Sequence, residues 1–291
     1  MEEELYFFVK FLEDKIIEVA SNFIDTSKIE ESYRNADYIF KDKLINKFVT
    51  REGEKFIFML PANKALTGFI PSLKNNLKVV TPFCAFNTKT DILYRKGMMF
   101  HELMHLGSLK QEQLGEGNLK ISTGLVKTNF INSDNLIEEE QEIPDMEYLN
   151  EAMTEFIAKF IYDRSYYDEY NIVSKNFLIY KISAYEKGYF LIAFLLYNYF
   201  EKNPKELFEI YFNNDVELFR KVLNKTWGIT LEELRDTINY LQKRIYNIFV
   251  NYKFKKCIKK INNKNPIENL NILYQYNLKY NFKKSLVDDL E

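Results

Sequence analysis

The sequence has little of several residue types, and each scarcity excludes something. Its 291 residues include two histidines, two cysteines, one tryptophan, nine glycines and six prolines. The cysteines, Cys84 and Cys257, are far apart in sequence and fit reduced thiols in a cytosolic protein better than a disulfide framework. Few Gly, Pro and Trp beside many Phe, Tyr, Ile, Lys and Asn residues are typical of a low-GC bacterial genome.

An excess of one charge and a long apolar run are also missing. Forty Lys and Arg against 42 Asp and Glu give a formal net charge of -2, so no global basic field attracts nucleic acid or anionic lipid. The most apolar stretch, 189–200, has about twelve residues, whereas a membrane span needs roughly 20. Acidic residues at 2–4 occupy the place where a secretory signal carries positive charge. We therefore expect a cytoplasmic protein without membrane or nucleic-acid partners.

What is present is the composition of a folded globular chain. The sequence is 46% hydrophobic and 28% charged, a balance that excludes disorder and collagen. Apolar residues at three- and four-residue intervals predict an amphipathic helix over 2–24, and a short helix is expected near 40–49. Strands are expected at 55–60 and 77–81, each ended by a proline. The first third is therefore expected to contain a small sheet.

The rest of the chain divides around one helix and one long connection. A helix-start signal at 88–91 predicts a helix over about 91–106. Glycines and an acidic run predict a long loop over 107–146, within which 120–131 can form a hairpin. Residues 1–146 are thus an N-terminal α/β part and 147–291 a helical part, and the two are expected to form one catalytic unit. The helices expected in the second part cover 147–163, 172–202, 204–213, 215–226, 230–262 and a segment after Pro266.

Both histidines belong to one five-residue motif, H-E-L-M-H at residues 101–105. In a chain with two histidines, this spacing with a glutamate in second place arises by chance about once in a thousand sequences. On a helix, His101 and His105 share a face and can bind one ion, while Glu102 lies beside a metal-bound water. The motif predicts one zinc ion per chain. Two histidines on an ordinary structural helix are the alternative.

A third ligand must be a carboxylate or a thiol, because no histidine is left. Catalytic zinc has three protein ligands and a water, whereas structural zinc usually has four protein ligands. The best candidates lie in the segment L-N-E-A-M-T-E, at residues 149–155. Glu151 can bind zinc, and Glu155, four residues later on the same helix face, can accept the N–H of a ligand histidine and fix its tautomer. Two glutamates on a solvated helix face are the alternative.

These two segments resemble those of the gluzincin metallopeptidases, the thermolysin-like zincins. In that family H-E-x-x-H on one helix is completed by a glutamate in an N-E-A-x-x-D type segment on a second helix. Small bacterial proteins that combine H-E-L-x-H with L-N-E-x-x-T-E look most similar. The resemblance, which covers about 90–165, implies zinc bound by His101, His105 and Glu151. It also implies Glu102 as general base and proton shuttle, with a zinc-bound water as nucleophile.

The sequence departs from the family pattern in three ways. Glu155 stands where the family has an aspartate, and the connection between the two motifs is much longer than in thermolysin. The histidine with which thermolysin-like enzymes stabilise the oxyanion has no counterpart. That role then falls to a tyrosine, an arginine or a lysine, for which the candidates are Tyr148, Arg164, Tyr167, Tyr170 and Tyr185.

The predicted fold is α+β, mostly helical and zincin-like, with a small N-terminal sheet and an active-site helix followed by a helical part. The expected function is zinc-dependent hydrolysis of peptide bonds in a peptide or protein substrate. A zincin-derived binding or regulatory protein with a structural zinc is one alternative, and a helical scaffold without metal is another. A basic stretch over 253–264 is expected to be a solvated helix face, and Cys84 to be a buried, inert thiol.

Overall fold

The computed structural model describes residues 2–43, 45–49, 53, 55–60, 65–72, 79–88, 92–115, 118–133, 136–165, 192, 195–197 and 199–243. Its helices are α1 (Glu2–Ala20), α2 (Ser27–Asn35), α3 (Ile92–Gly107), α4 (Glu147–Ser165), α5 (Pro204–Phe212), α6 (Val216–Trp227) and α7 (Leu231–Lys243). Its strands are β1 (Asp37–Lys41), β2 (Ile45–Val49), β3 (Lys55–Met59), β4 (Ala65–Ser72), β5 (Val79–Asn87), β6 (Lys110–Gln113), β7 (Leu119–Thr123), β8 (Val126–Ser133) and β9 (Leu136–Gln141). The mixed α and β composition is confirmed.

Some predictions lie outside the described residues. They are most of the helix over 172–202, the part of the helix over 230–262 that lies beyond Lys243, the helix after Pro266, the basic stretch and Cys257. Within the described residues, no helix is both long enough and apolar enough to cross a membrane.

Two compact units are distinguished by their internal contacts. The first comprises Met1–Pro144 with Tyr211–Asn214, and the second comprises Asp145–Ile210 with Asp215–Glu291. The first unit contains all nine described strands and helices α1 to α3.

A three-stranded sheet in the first unit has the order β1-β5-β4, with β1 parallel and β4 antiparallel to β5. Successive side chains of a strand point to opposite faces. Phe83 and Ala85 of β5 therefore share one face, where they join a buried cluster with Phe58 of the β2–β3 hairpin. Cys84 belongs to the other face, and its sulfur lies 3.8 Å from the carbonyl oxygen of Glu102 on α3. The sheet is thus covered by the hairpin on one side and by the motif helix on the other.

Two local predictions in this region are wrong. The segment 40–49 forms the end of β1 and the strand β2 instead of a helix. Exposed and inward-facing residues alternate along β2, but apolar side chains occupy both faces and obscure that period. The second predicted strand continues through Pro82 to Asn87. Pairing with β1 begins only at Phe83, so among the described strands β4 alone pairs with β5 at Pro82. A missing N–H donor is tolerated at such a position.

The long loop predicted over 107–146 is also wrong, because most of it forms an antiparallel sheet of order β6-β7-β8-β9. The predicted hairpin at 120–131 is confirmed as β7 and β8. Alternate residues Leu119, Ile121 and Phe130 form a buried cluster with Leu109. The acidic run conceals β9, an edge strand in which Glu138, Glu139 and Glu140 are exposed. Charged side chains are a common protection of sheet edges.

The helices of the second unit agree with the predicted ones at most of their ends. Asp215 caps α6 by accepting a hydrogen bond from the Leu218 N–H, and Gly228 ends it with φ 66°. Thr230 and Glu233 form a reciprocal capping box at the start of α7. Inside the unit, ring centroids of Phe156 and Phe200 are 6.0 Å apart, and those of Phe160 and Phe208 are 6.4 Å apart.

Helix α2, in the first unit, has no counterpart among the predictions.

One buried carboxylate in the first unit makes folding stability depend on pH. Glu13 on α1 is 5% exposed and accepts hydrogen bonds from Lys10 Nζ at 2.8 Å and from the Tyr38 hydroxyl. Burial raises the pKa of Glu13, an effect that outweighs the lowering by Lys10 and Tyr38. The folded chain therefore binds this proton more tightly than the unfolded chain does.

We expect Glu13→Gln to gain stability relative to wild type as the pH rises. The folded pKa lies above the unfolded value, so the stabilising effect of protonation is present at low pH and is lost as the pH rises through the folded pKa. Urea unfolding at about pH 4.5 and about pH 8 measures the change. Glu18→Gln, which removes an exposed glutamate paired with Lys15 on the same helix, is the matched control. Equal pH dependence of wild type and Glu13→Gln would contradict this assignment.

Candidate metal centre

Helix α3 carries the H-E-L-M-H motif and follows strand β5, as predicted. The observed bounds, Ile92–Gly107, differ by one residue from the predicted ones. The helix packs against β4 and β5 and against α1 and α2. Met99, Leu103 and Met104 are fully buried, because the i, i+4 and i+5 spacing places them toward the core. This packing fixes which way the opposite face of the helix points.

The two histidines converge on one point. His101 and His105 are 8% and 7% exposed, and their Nε2 atoms lie 3.2 Å apart. Two nitrogens that each lie about 2.05 Å from a tetrahedral zinc are roughly 3.3 Å apart. Imidazole nitrogens this close either share a proton or face the same cation. The histidine pair therefore already has the spacing that a tetrahedral ion requires.

Glu151 completes the group. It lies in the second turn of α4 and is half-buried. His101, His105 and Glu151 each offer one ligand atom, and these three atoms lie within 4.8 Å of one another. Two imidazoles and one carboxylate form a donor set that zinc accepts. The three predicted ligands thus lie close together, in an arrangement compatible with a metal site.

Glu102 is half-buried, and its backbone is tied to the sheet. Its carbonyl oxygen accepts a hydrogen bond from Thr67 Oγ1 at 2.9 Å. Cys84 Sγ lies 3.0 Å from the same Thr67 oxygen. Burial first, and then the negative charge of Glu102, raise the pKa of the Cys84 thiol well above its usual range. Cys84 is thus a protonated, fully buried thiol, as expected, and it adjoins the site.

Two further carbonyls of the motif helix accept side-chain hydrogen bonds. The Tyr33 hydroxyl of α2 donates to Leu103 O at 3.0 Å. A Cβ on Gly107 would lie 2.7 Å from that hydroxyl, so the glycine allows α2 to approach. Ser108 Oγ, just beyond the helix, donates to His105 O at 2.9 Å.

Ser108 extends this network to the second sheet. Its Oγ accepts the Gly124 N–H at 2.9 Å. The Asn214 side-chain amide donates to Ser108 O at 3.1 Å and to Gly124 O at 2.9 Å. All three residues are buried, so the end of the motif helix is joined to the β7–β8 turn through bonds shielded from water.

The remaining predicted site residues are placed as follows. Glu155 lies on α4 and forms an ion pair with Lys159 at 2.8 Å; its role toward a ligand histidine stays a prediction. Tyr148 is 37% exposed, and Arg164 falls within α4. Tyr167, Tyr170 and Tyr185 lie outside the described residues. The choice of oxyanion donor among these residues is therefore still a prediction.

Sequence reasoning missed Thr67 and Tyr33. Thr67 precedes Glu102 by 35 residues and Tyr33 precedes Leu103 by 70, and neither belongs to a motif. A threonine in a strand and a tyrosine in a short helix are too common to indicate a role. Only the packing of α3 identifies them.

Comparison with family models, with curated proteins and with solved structures gave no significant match. The resemblance to gluzincins therefore rests on the two motifs and stays an expectation.

We expect the purified protein to bind one zinc ion per chain and the Glu151→Ala and His101→Ala variants to lose it. Removing a ligand should lower affinity by more than the roughly 10- to 100-fold that follows the loss of a ligand's hydrogen-bond partner. Elemental analysis after dialysis measures the metal content. Glu147→Ala, an exposed glutamate in the first turn of α4, is the control and should retain zinc. Full zinc occupancy in Glu151→Ala would remove Glu151 from the ligand set.

Proposed function

We propose that the protein is a zinc-dependent metallopeptidase, with His101, His105 and Glu151 as metal ligands and Glu102 as general base. The observation that carries the proposal is the convergence of the three ligand side chains, with Glu102 next to one of them in sequence. Two histidines four residues apart on a helix can bring their Nε2 atoms to 3.2 Å by sharing a proton, but a carboxylate oxygen beside the same two nitrogens favours a shared cation.

The number and kind of ligands support a catalytic rather than a structural ion. The two imidazoles and one carboxylate that the described residues bring together leave the fourth position of a tetrahedral zinc open for water or substrate, whereas closed structural sites use four protein ligands, often thiolates. The sulfur of Cys84 contacts Thr67 Oγ1 at 3.0 Å and does not belong to the cluster formed by ligand atoms of His101, His105 and Glu151, which disfavours Cys84 as a fourth ligand. A zincin-like arrangement, with the motif helix packed on a sheet, is part of the same proposal.

The chain's own residues then divide the work of hydrolysis. When bound, zinc supplies Lewis acidity toward a scissile carbonyl and lowers the pKa of a coordinated water to about 7. Glu102 takes a proton from the attacking water and delivers it to the leaving amine. Its half-buried position limits the water around the carboxylate while leaving it accessible to a substrate. The anchored backbone of α3 keeps Glu102 next to the ligand histidines during both transfers.

A second candidate function is a zincin-derived binding or regulatory protein in which zinc stabilises the fold. The observation that favours it is the absence of a third histidine, since both existing ones are assigned to the metal. In that case Glu102→Gln changes nothing, whereas His101→Ala lowers thermal stability. In the metallopeptidase both substitutions abolish activity.

We expect Glu102→Gln to retain one zinc per chain and to lose hydrolysis of peptide substrates by at least about 100-fold, because the general base is gone. A peptide-library digest near neutral pH, read by mass spectrometry with and without a chelator, measures this. Glu155→Gln is a useful companion, because it changes a nearby predicted partner without removing the base. Chelator-sensitive hydrolysis that persists in Glu102→Gln would refute the assigned mechanism.

A further inference from the structure

We propose that Thr67 is a positioning residue of the metal centre, and that Cys84 orients it. The inference rests on the proposed metal ligands and goes beyond them, because neither residue is a ligand or a base. Thr67 on β4 and Cys84 on β5 are register partners on adjacent strands. Together they contact the backbone carbonyl of Glu102. Glu102 is the proposed general base and directly follows the first candidate ligand, His101.

The direction of the hydrogen bonds follows from the number of protons available. Thr67 has one hydroxyl proton, which it donates to Glu102 O at 2.9 Å. With that proton used, we assign the 3.0 Å contact between Cys84 Sγ and Thr67 Oγ1 to the thiol proton, which also lies near the Glu102 carbonyl oxygen, 3.8 Å from the sulfur. Burial keeps that proton in place by raising the pKa of Cys84. The side chains of Thr67 and Cys84 thus contact each other and both approach the Glu102 carbonyl oxygen.

The hydrogen bond from Thr67 constrains helix α3 in a way that apolar packing does not. The buried side chains of Leu103 and Met104 determine which face of α3 points to the core, but the hydrophobic effect itself is non-directional. A hydrogen bond from the sheet to one carbonyl is directional, so it defines both the rotation and the axial position of α3. Errors of about 1 Å in a reacting group can cost on the order of 100-fold in rate.

The place of the Glu102 carbonyl in the motif determines which side chains the hydrogen bond from Thr67 positions. The Glu102 carbonyl belongs to the peptide unit immediately after the first histidine ligand and the general base. Fixing it therefore sets where the side chains of His101 and Glu102 leave the helix. His105, one turn later, follows because the helix is rigid over that distance. A site held in this way keeps its ligands preorganised before any metal binds.

The test compares Thr67→Val, which removes the hydroxyl and keeps the branched shape, with Thr67→Ser, which restores the hydroxyl. We expect Thr67→Val to lower zinc affinity roughly 10-fold, in the range that loss of an outer support costs, and Thr67→Ser to return within about 2-fold of wild type. Competition with a chelating dye on the full-length chain measures the affinity. Where wild type hydrolyses peptides, Thr67→Val should lower kcat with little change in KM.

A matched control separates positioning from general destabilisation. Thr226→Val on α6 removes a similar threonine bond to a helix carbonyl, 2.7 Å from Thr226 Oγ1 to Val222 O, and should leave zinc affinity unchanged. Thermal unfolding in the presence of a chelator ranks the stability of all variants. If Thr67→Val does not fold, Cys84→Ala tests the same hydrogen-bond network, because it removes the thiol that contacts Thr67. We expect Cys84→Ala to lower zinc affinity less than Thr67→Val does.

The outcomes are distinct. Wild-type affinity in Thr67→Val, or equal losses in Thr67→Val and Thr67→Ser, would overturn the inference. A wild-type protein that binds zinc but cleaves no peptide overturns the metallopeptidase proposal alone, since the affinity comparison still decides the role of Thr67. A wild-type protein that binds no zinc overturns both.

Discussion

The candidate centre depends on how helix α3 is held. Three of its last carbonyls, those of Glu102, Leu103 and His105, accept hydrogen bonds from side chains outside the helix. Each such bond contributes about 1 kcal/mol net, so together they are a noticeable fraction of the 5–15 kcal/mol typical of a domain. Their larger effect is geometric. Because the donors belong to a strand, a helix and the residue after α3, they define the helix position from several directions.

The candidate metal ligands His101 and His105 depend on that position of α3. Burying two imidazoles and a carboxylate carries a desolvation cost that needs partners to offset it. In this chain the two Nε2 atoms face each other at 3.2 Å and a Glu151 oxygen lies near them. A divalent cation satisfies all three groups at once. The scarcity of histidine in the sequence thus agrees with a structure in which each histidine has a position that a metal explains.

Parts of this structure follow from the sequence because they have strong local periodicity. Helix α1 was predictable from apolar spacing and α3 from a helix-start signal. The candidate ligands were predictable from the two motifs, because the lack of a third histidine required a carboxylate or a thiol. In the sheet over β6 to β9 only the β7–β8 hairpin was predicted. Strands β6 and β9 were not, because they are short and polar, and the glutamates of β9 look like a solvated loop. The path of β5 through Pro82 depends on which neighbour is present at that point. The anchoring by Thr67 depends on packing between residues 35 positions apart, which no local pattern encodes.

The central claim is that a single zinc ion is bound by two imidazole nitrogens and one carboxylate oxygen. X-ray absorption spectroscopy of the zinc-loaded protein tests it most directly. The account predicts a four-coordinate ion with nitrogen and oxygen neighbours at about 2.0–2.2 Å, including the multiple-scattering signature of two imidazoles. A sulfur neighbour at about 2.3 Å, or a shell without imidazole, would contradict it.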